Sequence, residues 1–375
     1  MKYLLIDDFA LRGWKNILEK AIIRENNSIE TALTFEDAIV KIQKKWSFIF
    51  LDMRLNEADH SKLNSEDYSG FKILKKLRED FSSVNFATPV ILITASNKIW
   101  NINRLLENGI DAFYIKEHPD FFIDEESSRK NLEYLQEAFK DLTLKADKRH
   151  LVWELSNQIL KKIQNHIYFN GDKRCINSKQ RIFDKIKLGY AYLFKQQTQL
   201  ETRVLNVNNE ALAFIIFWSI LEELVKSLTE PDTWDLRGDF SGSWKFKNDE
   251  FFIEKMRGGS ITINISKEAG KSRYLKNKKN LSESDSGYDS YAKGHIKLSE
   301  QVYSILAAFT EEKSSFTNLA QEFKEINKFR NEVDFIHSRV HNIFHQPLIT
   351  EKSKLKHFEY IQRTLVFINN ILSLI

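Results

Sequence analysis

The stretch FIFLDMR at residues 48–54 decides the fold of the first third of the chain. Its first four residues are apolar without a polar break, which is typical of a central strand of a parallel sheet that is buried on both faces. The run ends abruptly in the carboxylate of Asp52. Because functional groups of open α/β sheets collect beyond the carboxyl ends of the strands, Asp52 is a candidate site residue and not a core residue.

Three more short apolar runs end in polar residues in the same way. They cover residues 3–6, 90–93 and 112–115, and the polar residues that follow them are Asp7 with Asp8, Thr94, and Lys116. Helical patterns separate the runs and predict crossover helices at residues 12–24, 35–46, 70–81 and 99–108. A fifth helix is expected at residues 127–144. This alternation predicts an α/β doubly wound sheet that collects the polar strand ends at one edge.

The order and the strand-end placement of these residues resemble the receiver domain of two-component response regulators, over residues 1–125. The resemblance implies a flavodoxin-like fold, Mg²⁺ as cofactor, and a sensor histidine kinase or a phosphotransfer protein as partner. It implies that Asp52 is the phosphoacceptor and that the metal is bound by Asp7, Asp8 and Asp52. It also implies phosphoryl-binding and switch roles for Thr94, Phe113 and Lys116.

The chemistry of these residue types agrees with the implied roles. An aspartate such as Asp52 can attack a phosphoryl donor and form an aspartyl phosphate. Clustered carboxylates need a compensating cation, and Mg²⁺ prefers carboxylate oxygens, water and phosphate. Lys116 offers a point charge to the acyl phosphate. The chain departs from the family in a long polar loop at residues 56–69 and in the absence of a proline directly after Lys116. The alternative interpretation is a bare flavodoxin-like sheet with incidental acids.

The length and composition of the chain limit its possible domain number, location and partners. A chain of 375 residues predicts two or three domains, and we expect a helical linker at 126–150 and an output domain at 151–375. Cys175 is the single cysteine, which excludes an intramolecular disulfide and fits a cytoplasmic protein. No apolar run approaches the length of a membrane span, and a net charge of +4 does not by itself indicate a nucleic-acid partner.

The output domain is predicted to be mostly α-helical, because the whole chain holds only four prolines and twelve glycines. Its core is expected around the apolar helix 208–228, with Glu222 and Glu223 on a solvated edge. Further helices are predicted at residues 150–170, 178–200, 298–309, 315–329 and 353–374. A small β-containing insertion is expected at residues 231–295. It holds three β-like pieces, at 244–246, 251–253 and 261–265, and a basic run at 267–279 that suits either a solvated loop or an RNA contact.

A second constellation follows the 315–329 pattern. The arrangement of Arg330, Asn331 and His337 resembles the R-x4-6-H motif of HEPN domains, which are helical domains of many ribonucleases. The resemblance implies a metal-independent ribonuclease site that is shared by two copies of a homodimer, with RNA as partner. Histidine titrates near neutral pH and can move a proton, arginine donates a planar fork to phosphate oxygens, and Asn331 would orient the pair.

Other functions compete for this region. His337, His341 and His345 are spaced to line one helical face and to hold Zn²⁺, although no carboxylate is spaced to join them. Arg330 and His337 also suit helix ends or a dimer seam in a scaffold that has no chemistry of its own. DNA binding is disfavoured, since no compact helix-turn-helix with a basic recognition helix occurs near either end of the chain.

Overall fold

The computed structural model describes most of the chain and divides it into two compact units, Met1–Glu154 and Leu155–Ile375. The described residues are 1–22, 28–62, 64–95, 108–116, 125–166, 169, 173–194, 209–233, 240–246, 251–256, 261–265, 298–310, 313–339 and 351–375. Each unit has its own buried apolar core.

A five-stranded parallel sheet forms the centre of the first unit. Its strands are β1 (Lys2–Ile6), β2 (Ser28–Ala32), β3 (Phe48–Leu51), β4 (Val90–Thr94) and β5 (Ala112–Ile115). They lie in the order β2-β1-β3-β4-β5, and all four pairings are parallel. This is the strand order of flavodoxin-like sheets, so the fold predicted for the first unit is confirmed.

Alternation of the strand side chains divides the apolar core between the two faces of the sheet. Leu4 and Ile6 belong to a cluster that includes residues of the helices after β2 and β3, whereas Tyr3 and Leu5 belong to a cluster on the other face. Every residue of β3 is fully buried. An apolar side chain of this size gains about 1.5–3 kcal/mol on burial, which is why an uninterrupted apolar run is stable only in the middle of the sheet.

The first three helices of the first unit are shorter than their patterns predicted, and the fourth is longer. They are α1 (Trp14–Ala21), α2 (Phe35–Lys41), α3 (Ser69–Glu79) and the first part of α4 (Glu125–Asn165). A 3-10 turn at Ala10–Arg12 precedes α1, which explains the late start of that helix. The helix predicted at 99–108 lies outside the described residues.

Helix α4 is continuous through the stretch 126–150 for which a helical linker was expected. The patterns at 127–144 and 150–170 belong to a single helix of 41 residues, which ends at Asn165. The charged stretch between them stays helical because Ala146 and Arg149 are buried while Lys145 and Asp147 are exposed. The boundary between the two compact units falls within this helix, after Glu154.

The second unit is built mainly from helices. After α4 come α5 (Lys173–Phe194), α6 (Asn209–Leu228), α7 (Leu298–Phe309), α8 (Lys313–Arg339) and α9 (Glu351–Leu374). The prediction that the 208–228 helix forms the heart of the core is confirmed, because its apolar residues are almost all buried. The rings of Trp218, Phe323 and Phe367 stack in sequence across α6, α8 and α9, at centroid separations of 5.9 and 5.7 Å.

Glu223 corrects the expectation of a solvated edge on α6. Its side chain is only 11% exposed and accepts hydrogen bonds from the guanidinium of Arg181, with Lys185 also nearby, on helix α5. These partners hold the pKa of Glu223 below its ordinary value, although burial acts to raise it. The carboxylate therefore joins two core helices.

An antiparallel sheet follows α6 in the chain. Its strands are β6 (Thr229–Thr233), β7 (Phe240–Phe246), β8 (Phe251–Met256) and β9 (Ile261–Ile265), paired in sequence order. The three predicted β pieces correspond to β7, β8 and β9. Strand β6 was not predicted, because its sequence TEPDT has little β propensity and is recruited by pairing with β7. The basic run at 267–279 lies outside the described residues.

Candidate functional site

The candidate site lies at the carboxyl edge of the parallel sheet. Backbone pairing continues one residue beyond three strands: the N–H of Asp7 donates to Ala32 O, that of Asp52 to Ile6 O at 2.8 Å, and that of Lys116 to Thr94 O at 2.7 Å. Asp7, Asp52, Thr94 and Lys116 are all at most 8% exposed. The sheet therefore brings the polar strand ends together, as their positions after apolar runs predicted.

Lys116 joins the two central carboxylates. Its Nζ donates to Asp7 Oδ2 at 2.8 Å and also to Asp52 Oδ2. Burial acts to lower the pKa of Lys116, but the charges of Asp52 and Asp7 outweigh burial and raise it. The ammonium group is therefore fully charged at neutral pH and is held between residues 109 and 64 positions away in the chain.

One ammonium group does not neutralise this edge. Burial raises the pKa of Asp52 to about 6, because desolvation outweighs the attraction of Lys116. Burial and the neighbouring charge of Asp7 likewise raise the pKa of Asp8. Burial is the largest cause of both raised pKa values, so a cation at this edge would offset the cost of the buried negative charge.

The donor set fits a small divalent cation. Asp7, Asp8 and Asp52 each offer a carboxylate oxygen, and these three oxygens lie within 4.8 Å of one another. Oxygen ligands and surplus negative charge are what Mg²⁺ requires, and Mg²⁺ keeps further positions for water or phosphate. Asp7 Oδ1 accepts a hydrogen bond from the N–H of Phe9 at 2.8 Å, which fixes the orientation of the Asp7 carboxylate.

Thr94 and Phe113 occupy the positions that the sequence analysis assigned. Thr94 is the last residue of β4 and is buried. Phe113 on β5 is half-buried, and its ring centroid lies 6.0 Å from that of Tyr134 on α4. The hydroxyl residue thus sits at the edge with the carboxylates, while the aromatic residue contacts the long helix.

The long polar loop after β3 is folded around a buried carboxylate. Asp59 is fully buried and accepts hydrogen bonds from the N–H groups of Leu55 and Ser69, at 3.1 and 3.3 Å, and from the ammonium of Lys62. Burial acts to raise the pKa of Asp59, but these partners lower it. The carboxylate closes the loop, so that α3 begins directly beside the site.

Gly70 explains how closely α3 approaches the site. A Cβ atom at this position would lie 2.1 Å from the carbonyl oxygen of Asp52 and 2.7 Å from Cα of Met53, so no side chain fits there. The N–H of Gly70 also donates to Met53 O at 3.0 Å. Sequence reasoning noted this glycine only as a helix start, since nothing local reveals which backbone it will face.

Two further side chains near the site were missed. The guanidinium of Arg54 lies over the ring of Tyr68 at 5.0 Å and donates to its hydroxyl at 3.3 Å, and the Arg54 N–H approaches Asp52 Oδ1 at 3.4 Å. The ring of Trp14 lies 5.4 Å from Lys116 Nζ. Trp14 appeared in the sequence only as an apolar position of an amphipathic helix, and periodicity carries no signal for a polar contact of this kind.

The second constellation, in the C-terminal unit, lies within one helix. Arg330 and Asn331 are consecutive on α8, half-buried and exposed respectively, and Arg330 Nη1 donates to Asn331 Oδ1 at 3.2 Å. Residue 337 is also part of α8, and seven residues are about two helical turns, so positions 330 and 337 lie on one face about 10 Å apart along the axis. His341 and His345 lie outside the described residues.

Comparison with known proteins finds similarity in the N-terminal part of the chain. A two-component response regulator from Clostridium difficile is 26% identical, covering 36% of this chain and 94% of that one, with a TM-score of 0.26. A response regulator receiver domain protein from Methanospirillum hungatei is 20% identical, covering 37% and 96%, with a TM-score of 0.26. A Burkholderia pseudomallei response regulator with a phosphorylated aspartic acid is 19% identical, covering 44% and 87%, with a TM-score of 0.26. No protein-family model and no curated protein matches the chain.

A membrane-spanning role finds no support in the described helices. None of them combines the length and the apolar character that crossing a bilayer requires.

Proposed function

We propose that the N-terminal unit is the receiver domain of a two-component response regulator and that it is phosphorylated on Asp52. The observation that carries the proposal is the convergence of three carboxylates and one buried lysine at the carboxyl edge of a sheet with the order 2-1-3-4-5. Separate incidental acids would not share one ammonium group. The proposed partner is a sensor histidine kinase or a phosphotransfer protein.

In the proposed reaction an Asp52 carboxylate oxygen attacks the phosphorus of the donor. A P–O bond to Asp52 forms while the bond from phosphorus to the donor atom breaks, and the donor leaves with the bonding electron pair. Lys116 then pairs with an oxygen of the transferred group, for which its position between Asp7 and Asp52 suits it. Thr94 donates its hydroxyl hydrogen to the same group, and Phe113 moves inward behind it.

Asp7, Asp8 and Asp52 are the proposed ligands of Mg²⁺ in this reaction. A bound Mg²⁺ supplies positive charge that offsets the charge developing on the transferred phosphoryl group. The three carboxylates are spaced for this task, and the raised pKa values of Asp8 and Asp52 indicate the negative charge that the cation would neutralise.

Phosphorylation is tested on the full chain with a small acyl phosphate donor and Mg²⁺. We expect intact-mass spectrometry to detect the addition of one phosphoryl group to the wild type and none to Asp52→Asn. The matched control is Asp67→Asn, which removes an exposed carboxylate from the neighbouring loop and should leave phosphorylation unchanged. Phosphorylation of Asp52→Asn at the wild-type rate would remove Asp52 from its assigned role.

For the output domain we propose a HEPN-like ribonuclease that acts as a homodimer on RNA. The supporting observation is that Arg330 and position 337 share one face of α8, with Asn331 hydrogen-bonded to Arg330. Arg330 would bind a phosphate oxygen, and His337 would transfer the proton of the RNA 2′-hydroxyl, which requires no metal. The second candidate is a phosphorylation-controlled scaffold, in which Arg330 acts through its contact with Asn331 at a dimer seam.

Cleavage of labelled single-stranded RNA distinguishes the two output functions. The ribonuclease predicts cleavage in the presence of a chelator that is lost in His337→Ala and retained in the control Asn327→Ala, another polar position of α8. Sedimentation of the same variants reports their oligomeric state. Intact RNA at every condition, together with a change in the oligomeric state of Arg330→Ala, would favour the scaffold.

A further inference from the structure

Trp14 is the first residue of α1, and the backbone before it determines where its ring lies. Gly13 has φ of 129°, a conformation that side chains rarely allow, and it separates the 3-10 turn Ala10–Arg12 from α1. This turn begins two residues after Asp8. The start of α1, and with it Trp14, is thereby held beside the carboxyl edge of the sheet.

The ring of Trp14 contacts two residues at the end of β5. Lys116 Nζ lies over the ring at 5.4 Å from its centroid, and the ring of Tyr114 meets it edge-on at 5.8 Å and 69°. Trp14 is half-buried and packs against the apolar cluster of its face of the sheet. The indole is therefore fixed by packing and presents its face to the ammonium group.

The ammonium group of Lys116 is buried, so an aromatic ring face stabilises it more than it would an exposed ammonium group. Its side chain is 8% exposed, so its ammonium group has lost most of its hydration. It has three N–H donors, and two of them point to Asp7 and Asp52. A ring face within about 6 Å attracts a desolvated cation by roughly 0.5–2 kcal/mol, and tryptophan is the strongest such partner.

We propose that Trp14 is a positioning residue for Lys116, and that its ring holds the ammonium group at the site while Lys116 exchanges a carboxylate for the phosphoryl group. The inference rests on the proposed phosphorylation of Asp52. Both carboxylate partners of Lys116 change during that reaction, since Asp52 becomes an acyl phosphate and Asp7 binds the cation. The ring of Trp14 takes no part in the transfer, so this partner of Lys116 is chemically the same before and after it.

The first test measures the rate constant for phosphorylation of the full chain by an acyl phosphate with Mg²⁺. Trp14→Leu should lower it about three- to tenfold, whereas Trp14→Phe, which keeps a ring face, should stay within about twofold of the wild type. The control Leu18→Ala removes a buried side chain from the same helix without touching Lys116 and should leave the rate unchanged. Equal rates for the Leu and Phe variants would overturn the proposal.

A double-mutant cycle with Lys116→Met separates positioning from simple packing. Native-state hydrogen exchange of the β5 amides gives the opening equilibrium of each variant whether or not it is phosphorylated. Trp14→Leu should raise the opening equilibrium constant by a certain factor in each background. That factor should be at least threefold larger in the wild-type background than in the Lys116→Met background. Equal increases in both backgrounds would show that Trp14 only packs.

If the wild type accepts no phosphoryl group, the proposed function itself fails. If the wild type is phosphorylated and Trp14→Leu is phosphorylated at the same rate, only the positioning role of Trp14 fails.

Discussion

The charged clusters at the two edges of the parallel sheet differ in how their charges are compensated. At the carboxyl edge three carboxylates lie together, and the ammonium group of Lys116 donates to two of them, Asp7 and Asp52. At the amino edge a single carboxylate, Asp111, lies between the guanidinium groups of Arg78 and Arg149. Both clusters are largely buried, with Asp8 and Arg78 partly exposed, and both join residues that are far apart in the chain.

The amino edge contains many hydrogen bonds. Asp111 Oδ2 also accepts from the Val90 N–H at 2.8 Å. Arg78 donates to the backbone carbonyls of Gly109, Phe86 and Thr88 at 2.9, 2.7 and 2.8 Å. No comparable set of donors faces Asp52 or Asp8 among the described residues. The difference separates a cluster that joins parts of the fold from one whose carboxylates remain available for the proposed cation and phosphoryl group.

The largest effect is expected from removing the carboxylate at the amino edge. Asp111→Ala leaves the buried guanidinium group of Arg149 and the partly buried one of Arg78 without their carboxylate, which should lower the free energy of unfolding by about 3–5 kcal/mol. Hydrogen exchange of the β4 and β5 amides measures the change. Asp147→Ala removes an exposed carboxylate from α4, two residues before Arg149, and should change stability by no more than about 0.5 kcal/mol. Similar losses in both variants would mean that the amino edge is not a structural anchor.

At the carboxyl edge, removal of a buried carboxylate is expected to raise the free energy of unfolding, not to lower it. The pKa of Asp52 is about 6 in the folded state against an ordinary value of 3.8, so the folded state binds more protons between these values. The free energy of unfolding therefore falls as pH rises from about 4 to 6. Asp52→Asn removes this fall and should stabilise the β3 amides by about 1–3 kcal/mol above pH 6, but not below pH 4.

The pH dependence of that difference is the informative part. Hydrogen exchange of β3 is measured for Asp52→Asn and for the wild type at several pH values without divalent cations. A stability gain that persists unchanged below pH 4 would show that Asn repacks the site. A loss of stability above pH 6 would show that the ion pair with Lys116 outweighs the desolvation of Asp52.

The smallest effect is expected from adding the cation. Mg²⁺ at ten times its dissociation constant should stabilise the first unit by about 1.4 kcal/mol, because it binds the folded state alone. Asp8→Asn should weaken this stabilisation, and Asp67→Asn, in an exposed position, should not. Titration of Mg²⁺ followed by β1 and β3 amide exchange measures it. Equal stabilisation of the Asp8→Asn variant and the wild type would exclude Asp8 as a ligand.

Four of the five strands of the first unit could be predicted because their signal is local. Each is a short apolar run with a polar residue at its end, and an apolar run between helices is stable only in a covered sheet. Strand β2 was not predicted, because polar residues interrupt the apolar pattern of its sequence SIETA. Helix ends were less predictable. The pattern at 12–24 does not reveal that Gly13 delays α1, and the charged residues at 145–149 do not reveal that Arg149 turns inward to Asp111.

The same distinction between local signals and tertiary contacts applies to the site residues. Asp7, Asp8, Asp52, Thr94 and Lys116 could be named from their positions at strand ends. Trp14, Gly70 and Asp59 could not, because each acts through a neighbour that only folding brings near: the Lys116 ammonium, the Asp52 carbonyl and the Ser69 amide. Glu223 was misjudged for the same reason, since its partner Arg181 lies on another helix.

The sequence by itself determined the doubly wound sheet, the edge at which its polar residues collect, and the helical character of the second unit, because hydrophobic periodicity and strand-end polarity are properties of short segments. Only the tertiary structure decided which charges meet. Lys116 reaches Asp7 across 109 residues and Arg149 reaches Asp111 across 38. An ion pair depends on distance and desolvation in the folded molecule, and a sequence specifies neither until the elements have packed.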